Sequence, residues 1–359
     1  LDFAELWLEL DPYSHPAASA AVTALYRLGR RDQAVALSQT LIARHKTAGT
    51  PWRPPTPEAA SASTRESAPA PAPTADDYLK QQSVHFCTAK DGVHIAYATV
   101  GKGPTVVKAA NWLSHLELDW DAPIWSPLFR RLARHHRFVR YDERGNGLSD
   151  WEVDHIDFDA FVTDLETVVD ALDLEKFALL GISQGASVSI EYAVRHPERV
   201  SHLILFGGYP AGWRVEADEE LVREREALLT LTETGWGRDL PAYRQVFSTT
   251  FMPSANSDEL AWFNEFQRQT TSPRNAVRFM SAFGDIDVRQ RLAQVQVPTL
   301  VLHSRGDQRI PFSVGRDLAT HIPGARLVGL ESDSHLLLGR DPASDVFFDA
   351  VQGFLAEAS

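Results

Sequence analysis

The sequence predicts an α/β fold: a mostly parallel eight-stranded sheet with helices on both faces and a helical cap, preceded by a small α-helical hairpin. Three observations carry that prediction. From residue 83 onward, short apolar runs alternate with stretches of helical period, the pattern of a sheet buried on both faces. The alternation breaks once, at about residues 211–295, in an aromatic-rich interval that reads as a helical insertion over the carboxyl ends of the strands. Residues 50–76, TPWRPPTPEAASASTRESAPAPAPTAD, hold too little apolar content to build a core and read as a semi-extended linker. The expected parts are therefore a helical segment (1–48), a Pro/Ala/Ser-rich linker (49–78) and an α/β domain (79–359).

Each element has its own justification. In the first segment, LDFAELWLEL stops at Asp11-Pro12, and two further helices follow. Val22, Leu25 and Leu28 lie at helical spacing, Gly29 ends that helix, Asp32 is placed to cap the next, and Ala34, Leu37 and Leu41 share one face. In the large domain the strand-like runs are SVHFCTA, VHIAYATV, TVVKAANW, RFVRYD, FALLGIS, VSHLILFGG, TLVLHS and ARLVGLE. The first two have no helix between them and are expected to pair as an antiparallel hairpin. Helical segments separate most of the later ones: PLFRRLARHH, FDAFVTDLETVVDALDL, ASVSIEYAVRHP and SVGRDLATHI, with ASDVFFDAVQGFLAEA closing the chain. The insertion holds nine Trp and Phe residues, Trp213, Trp236, Phe247, Phe251, Trp262, Phe263, Phe266, Phe279 and Phe283. They read as part core and part substrate pocket.

Composition narrows the function. The chain has 359 residues, 44% hydrophobic and 23% charged, which suits one large globular domain plus extras. Its net charge of −13, with no basic block to offset it, argues against gripping a phosphate backbone. No run approaches the roughly 20 apolar residues that span a bilayer, and no secretory leader is visible. The default location is the cytoplasm. Cys87 is the only cysteine, so neither an internal disulfide nor a thiolate metal cluster is expected. Histidines are scattered, with no HExxH, and no glycine-rich phosphate cradle follows an early strand; no metal and no organic cofactor are implied. Because the chain opens on Leu1, it reads as a piece of a longer product or a processed form.

The chemistry concentrates at Gly181-Ile182-Ser183-Gln184-Gly185. Ser183 lies between a predicted buried strand and a predicted helix, where a sharp turn presents a hydroxyl and the glycines let the two elements pass closely. A serine hydroxyl needs a base, and the base an orienting acid. Asp307 follows the strand TLVLHS, and His335 follows the last strand. All three fall at carboxyl ends of strands, the edge where such sheets bind ligands. Glu331 and Asp333, neighbours of His335, read as solvated loop acids, and Asp285 and Asp287 as flanking the end of the insertion. Asp142, Arg144 and Gly145 read as a scaffold turn. His115 and Glu117 are open between facing the pocket and a structural pairing.

The motifs YDERGNGLSD, GISQGASVSIEYAVRHPERV, VPTLVLHSRGDQRIP and SHLLL together resemble the α/β-hydrolase fold, over residues 83–357. NWLSHLELDWDAPIWSPLF is similar to hydrolase modules fused to bacterial regulatory or cyclase domains, and LDPY…A…LYRLGRRDQAVAL resembles a tetratricopeptide-like hairpin ending the helical domain of bacterial transcriptional activators. The hydrolase resemblance implies Ser183 as nucleophile, His335 as general base and acid, Asp307 as orienting carboxylate, and the N–H groups of Trp112 and Gln184 as the oxyanion hole. Two positions depart from the family pattern. Ala110-Asn111 replaces His-Gly, leaving Asn111 either to keep a left-handed turn or to reach substrate, and Ala186 replaces a third glycine. Asn111, Trp213, Trp236 and Phe266 are the expected pocket residues. The implied activity is a serine hydrolase on carboxylic esters, with a small-molecule ester or lactone as substrate. A lactonase or carbon–carbon bond hydrolase would use the same three residues. The ligand-sensing module of a regulator is the alternative from another class, and residues 1–48 offer a possible homo-oligomer contact. A serine rather than an aspartate nucleophile argues against the dehalogenase and epoxide-hydrolase branches.

Overall fold

The computed structural model describes residues 18–19, 21–22, 25–26, 30–48, 52–54, 77, 81–216, 218–238 and 242–357. The chain divides into two compact units, Leu1–Ala72 and Pro73–Ser359. The expected helix at residues 1–10, Leu28, Gly29 and most of the linker lie outside the described residues.

In the smaller unit, α1 spans Arg31–Thr47. Ala34 and Leu41 are buried with Val22, Leu25 and Trp52 in a small apolar cluster, to which Leu37 adds partial cover. The Trp52 indole N–H donates to Ser19 Oγ at 3.1 Å. One detail differs from expectation. The N-cap position is Arg30, without a side-chain cap, and Asp32 sits inside the first turn, where a carboxylate still favours the helix dipole.

The larger unit is built on eight strands: β1 (Ser83–Thr88), β2 (His94–Val100), β3 (Thr105–Lys108), β4 (Arg137–Tyr141), β5 (Phe177–Ile182), β6 (Val200–Phe206), β7 (Thr299–Ser304) and β8 (Arg326–Leu330). Their order is β1-β2-β4-β3-β5-β6-β7-β8. β2 runs antiparallel to β1 and β4, and every other pairing is parallel. Every residue of β5 and of β7 is buried, as a doubly covered parallel sheet requires. Helices α2 (Ser126–His135), α3 (Phe158–Ala171) and α4 (Gln184–Arg195) join the strands; α3 packs on α4, and α2 packs on the C-terminal helix. The chain leaves β3 toward β4 and leaves β5 toward β6, on opposite sides. Between β3 and β5 lies the switch point, where the carboxyl ends open a crevice.

Between β6 and β7 the described residues form five α-helices, α5 (Trp213–Glu216), α6 (Glu219–Gly235), α7 (Ala242–Phe251), α8 (Ser257–Thr270) and α9 (Pro273–Gly284), followed by a short 3-10 turn at Arg289–Gln294. Local sequence sets their starts. Asp218 caps α6, Asn256 and Glu259 form a reciprocal capping box on α8, and Ser272 caps α9 ahead of Pro273. The insertion joins the sheet through aromatic packing and polar ties. Trp236 stacks on Trp112 at 5.2 Å between centroids, and Phe279 on Phe161 at 5.7 Å. Gly147 N–H donates to the Thr270 carbonyl at 2.8 Å, Thr271 Oγ1 to the Gly145 carbonyl at 2.7 Å, and Asn275 Nδ2 to the Trp151 carbonyl at 2.8 Å. Helices α10 (Phe312–His321) and α11 (Ala343–Leu355) complete the cover. Among the described residues no helix is long and apolar enough to cross a membrane.

Candidate active site

Ser183 stands between β5 and α4 with φ 53° and ψ −124°, one of two described non-glycine residues with positive φ. Such backbone strain persists where the surroundings over-determine it. Here the two glycines supply the close fit. A Cβ on Gly181 would lie 2.5 Å from Ser189 Oγ and 2.6 Å from the Ala186 Cα, and one on Gly185 would lie 2.8 Å from the Ala110 carbonyl oxygen. Ser183 N–H is fixed by the Phe206 carbonyl at 2.9 Å.

The strand ends bring three side chains into line. His335 Nε2 lies 2.9 Å from Ser183 Oγ, and His335 Nδ1 lies 2.7 Å from Asp307 Oδ2. With Nδ1–H donated to the carboxylate, Nε2 is left as an acceptor for the serine proton. The imidazole is fully buried. Asp307 Oδ1 accepts the N–H groups of Arg309 at 2.8 Å and Ile310 at 2.9 Å. Burial works to raise the Asp307 carboxyl, but the charge and hydrogen bond of His335, with those two N–H groups, outweigh it and hold the carboxyl below its ordinary range.

Behind Ser183 a buried polar chain supports the expected anion-binding N–H groups. Gln184 opens α4, so its N–H has no acceptor in a preceding turn. Its side-chain oxygen accepts the Trp112 N–H at 3.3 Å, while its Nε2 donates to Glu143 Oε1 at 2.8 Å. Burial pushes Glu143 up to about 8 against the opposing bond from Gln184, which favours the protonated carboxyl. Glu143 lies within DERGNG, where sequence reading saw only a scaffold turn. Its neighbours are structural: Asp142 accepts the N–H groups of Leu116 and Leu148, and the buried Arg144 pairs with Asp164 at 2.7 Å. Asn111 takes neither expected role. It is not a positive-φ residue, and its Oδ1 accepts from the buried Lys108 Nζ at 2.5 Å.

A cavity of about 560 Å³ opens onto Ser183, bounded by Trp112 and Gln184, the insertion residues Trp213 and Arg225, and Arg309. Of the four expected pocket residues, only Trp213 lines it. Asn111 is turned toward Lys108, Trp236 is buried against Trp112, and Phe266 packs on Trp262 and Phe263. Amphipathic spacing places aromatics on a buried face without saying whether that face meets core or cavity. Phe251 lines the cavity instead, as do Tyr209 and Met280. His115 Nδ1 accepts the N–H groups of Glu117 and Leu118 in a local turn. Glu331 pairs with Arg305, Asp333 accepts from Ser254, Asp285 pairs with Arg214, and Asp287 with Arg289. Among the described residues no group of three His, Cys, Asp or Glu side chains is arranged to hold a metal ion.

Similarity to known proteins follows the same outline. The α/β-hydrolase fold family matches residues 116–342. The AB hydrolase superfamily protein YisY of Bacillus subtilis (strain 168) is 26% identical over 265 residues, 70% of this chain and 92% of that protein. The pimeloyl-[acyl-carrier protein] methyl ester esterase of Nitrosomonas europaea is 29% identical over 244 residues, 66% of this chain and 89% of that protein. Among solved structures, the esterase EaEST from Exiguobacterium antarcticum superposes with a TM-score of 0.67 at 25% identity, over 77% of this chain and all of that one. The chain belongs to the α/β-hydrolase fold family and is a hydrolase of that superfamily.

Proposed function

We propose that the protein is a serine hydrolase that cleaves a carboxylic ester through an acyl-enzyme. The observation that carries this reading is the unbroken relay from Asp307 through His335 to Ser183, with the serine held at positive φ. Ser183 Oγ attacks the ester carbonyl as its proton passes to His335 Nε2. The tetrahedral oxyanion is met by the N–H groups of Trp112 and Gln184; to receive it, Trp112 exchanges its long 3.3 Å bond to the Gln184 side chain for the substrate oxygen. Collapse breaks the carbonyl–alkoxy bond, and His335 returns the proton to the departing alcohol. Water then gives a proton to His335 as its oxygen attacks the acyl carbon, the acid leaves, and Ser183 recovers its hydrogen. Asp307 keeps the imidazole in the required tautomer and steadies its positive charge. Esterases among the similar proteins support the ester as substrate class.

Fluorophosphonate labelling with peptide mapping tests the reading, together with hydrolysis of short p-nitrophenyl esters by the protein and by Ser183→Ala. Modification at Ser183 and loss of at least about three orders of magnitude in kcat are expected. Undiminished turnover by the variant would overturn it.

A further inference from the structure

Three arginines line the cavity that opens onto Ser183: the exposed Arg316 of α10, and two that are half-buried, Arg225 from α6, one helical turn after Leu221, and Arg309 from the loop that follows β7. Neither of the half-buried two is in an ion pair among the described residues, and Arg225 Nε is buried without a hydrogen-bond partner. The contrast with the fully buried arginines is direct. Arg140 is paired with Asp119 at 2.7 Å, Arg144 with Asp164, and Arg244 donates to the carbonyls of Asn264 and Arg238, both at 2.8 Å. Of the nearby carboxylates, Asp307 is held by His335, Glu224 is exposed to solvent, and Asp317, also on the cavity wall, lies 3.1 Å from His321 Nδ1. Arg309 lies over the Phe251 ring, 5.3 Å from its centroid, and Phe251 in turn packs against His335. Burial, and then the charge of Arg225, push Arg309 below the usual arginine range. Two like charges in a partly dry wall are unfavourable unless an anion joins them, and a guanidinium fork fits a carboxylate in two-point contact.

We propose that Arg225 and Arg309 form an anion subsite in this cavity, and that the substrate is an ester bearing a free carboxylate at its far end, such as the half-ester of a dicarboxylic acid. The proposal rests on the ester-hydrolase reading but is separable from it. The reacting carbonyl is held at Ser183 while the remote carboxylate replaces its water shell with guanidinium donors. That remote contact selects and orients the chain and takes no part in bond making.

The test compares monomethyl adipate and monomethyl suberate with neutral methyl hexanoate and methyl octanoate, by pH-stat on the full chain. The half-esters are expected to be favoured in kcat/KM by at least about tenfold, with a preference that shrinks as sodium chloride is raised. In Arg225→Gln/Arg309→Gln the loss is expected to be at least about tenfold greater for half-esters than for neutral esters. Calorimetry of the half-esters with Ser183→Ala reads binding without turnover, so it tests the subsite even if the hydrolytic assignment fails. Saturable binding of half-ester, with none of the neutral ester at equal concentration, is expected. Neutral esters used by the wild-type protein as well as half-esters would overturn the subsite and leave the ester-hydrolase reading intact. Tighter binding of inorganic phosphate than of suberate would overturn the assignment to a carboxylate.

Discussion

The carbonyl of Phe251, the last residue of α7, accepts the N–H of His335 at 2.9 Å and that of Leu336 at 3.2 Å, and the Phe251 ring centroid lies 5.4 Å from that of the imidazole. The insertion thus holds the backbone that carries the candidate base. Its helices serve as more than a roof over the cavity: one of them ends on the histidine loop, and the same ring supports Arg309.

Truncating that ring separates its two duties. In Phe251→Ala the carbonyl remains and the packing goes. A buried Phe→Ala change costs about 3–5 kcal/mol, readable by urea unfolding. The imidazole also loses a wall, and a misplacement of about 1 Å is worth roughly 100-fold in rate. Ester turnover is expected to fall by about tenfold to 100-fold, with fluorophosphonate labelling of Ser183 slowed in parallel. Labelling at the wild-type rate would show that the ring does not position His335.

Asp307→Asn is expected to lower kcat by about four orders of magnitude, since a neutral amide favours the wrong imidazole tautomer. Its stability effect depends on pH with a definite sign. The Asp307 carboxyl is held below its unfolded value, so its ionisation contributes stability fully above that value and loses it as pH falls through the lower folded pKa. The stability gap between wild type and variant, measured by thermal unfolding, should therefore be constant near neutrality and close as the pH drops below about 4. A gap that widens toward acid would contradict the assignment.

Glu143 carries the opposite sign. Its folded pKa is raised to about 8 from a model-peptide value of 4.5, so the folded state holds a proton that the unfolded chain releases. Stability from this group is complete at low pH and declines as pH rises from about 4.5 to about 8. Glu143→Gln removes that penalty while keeping an oxygen for Gln184 Nε2. Its melting temperature relative to wild type is expected to rise across this interval, by about 3 °C or more at the top, and then level off. A difference independent of pH would mean that Glu143 is already ionised in the folded protein.

Much of this was legible in the sequence because the relevant residues sit where pattern and chemistry coincide. Ser183, Asp307 and His335 each follow an apolar run, and strand ends are the part of a parallel sheet that period and turn signals locate best. In the folded sheet β3 and β5 are neighbours, and Trp112 and Ser183 lie in the segments that follow them. The third strand is shorter than its apolar run. Ala109 N–H still bonds the Leu180 carbonyl at 2.9 Å, but the chain then turns away toward Trp112. The cavity wall was less legible. Trp213 and Trp236 are chemically alike, and only the crossing of α6, α7 and α9 decides that one meets open space and the other meets Trp112. Arg225 and Arg309 were missed because a charged residue in a helix or loop ordinarily reads as solvated. Glu143 was missed because burial, which sets its protonation, depends on elements far away in the chain.

The ties of the insertion are unevenly distributed. Thr270, Thr271, Asn275 and Arg278, at the junction of α8 and α9, are hydrogen-bonded to the loop after β4 and the segment that follows it, and α7 is joined to the histidine loop. Among the described residues no hydrogen bond fastens α6 to the sheet unit. The helix that bears Leu221 and Arg225 is thus the wall of the cavity with the fewest polar anchors, so a change of side chain along it alters the shape of the chamber without cutting a bond to the strands.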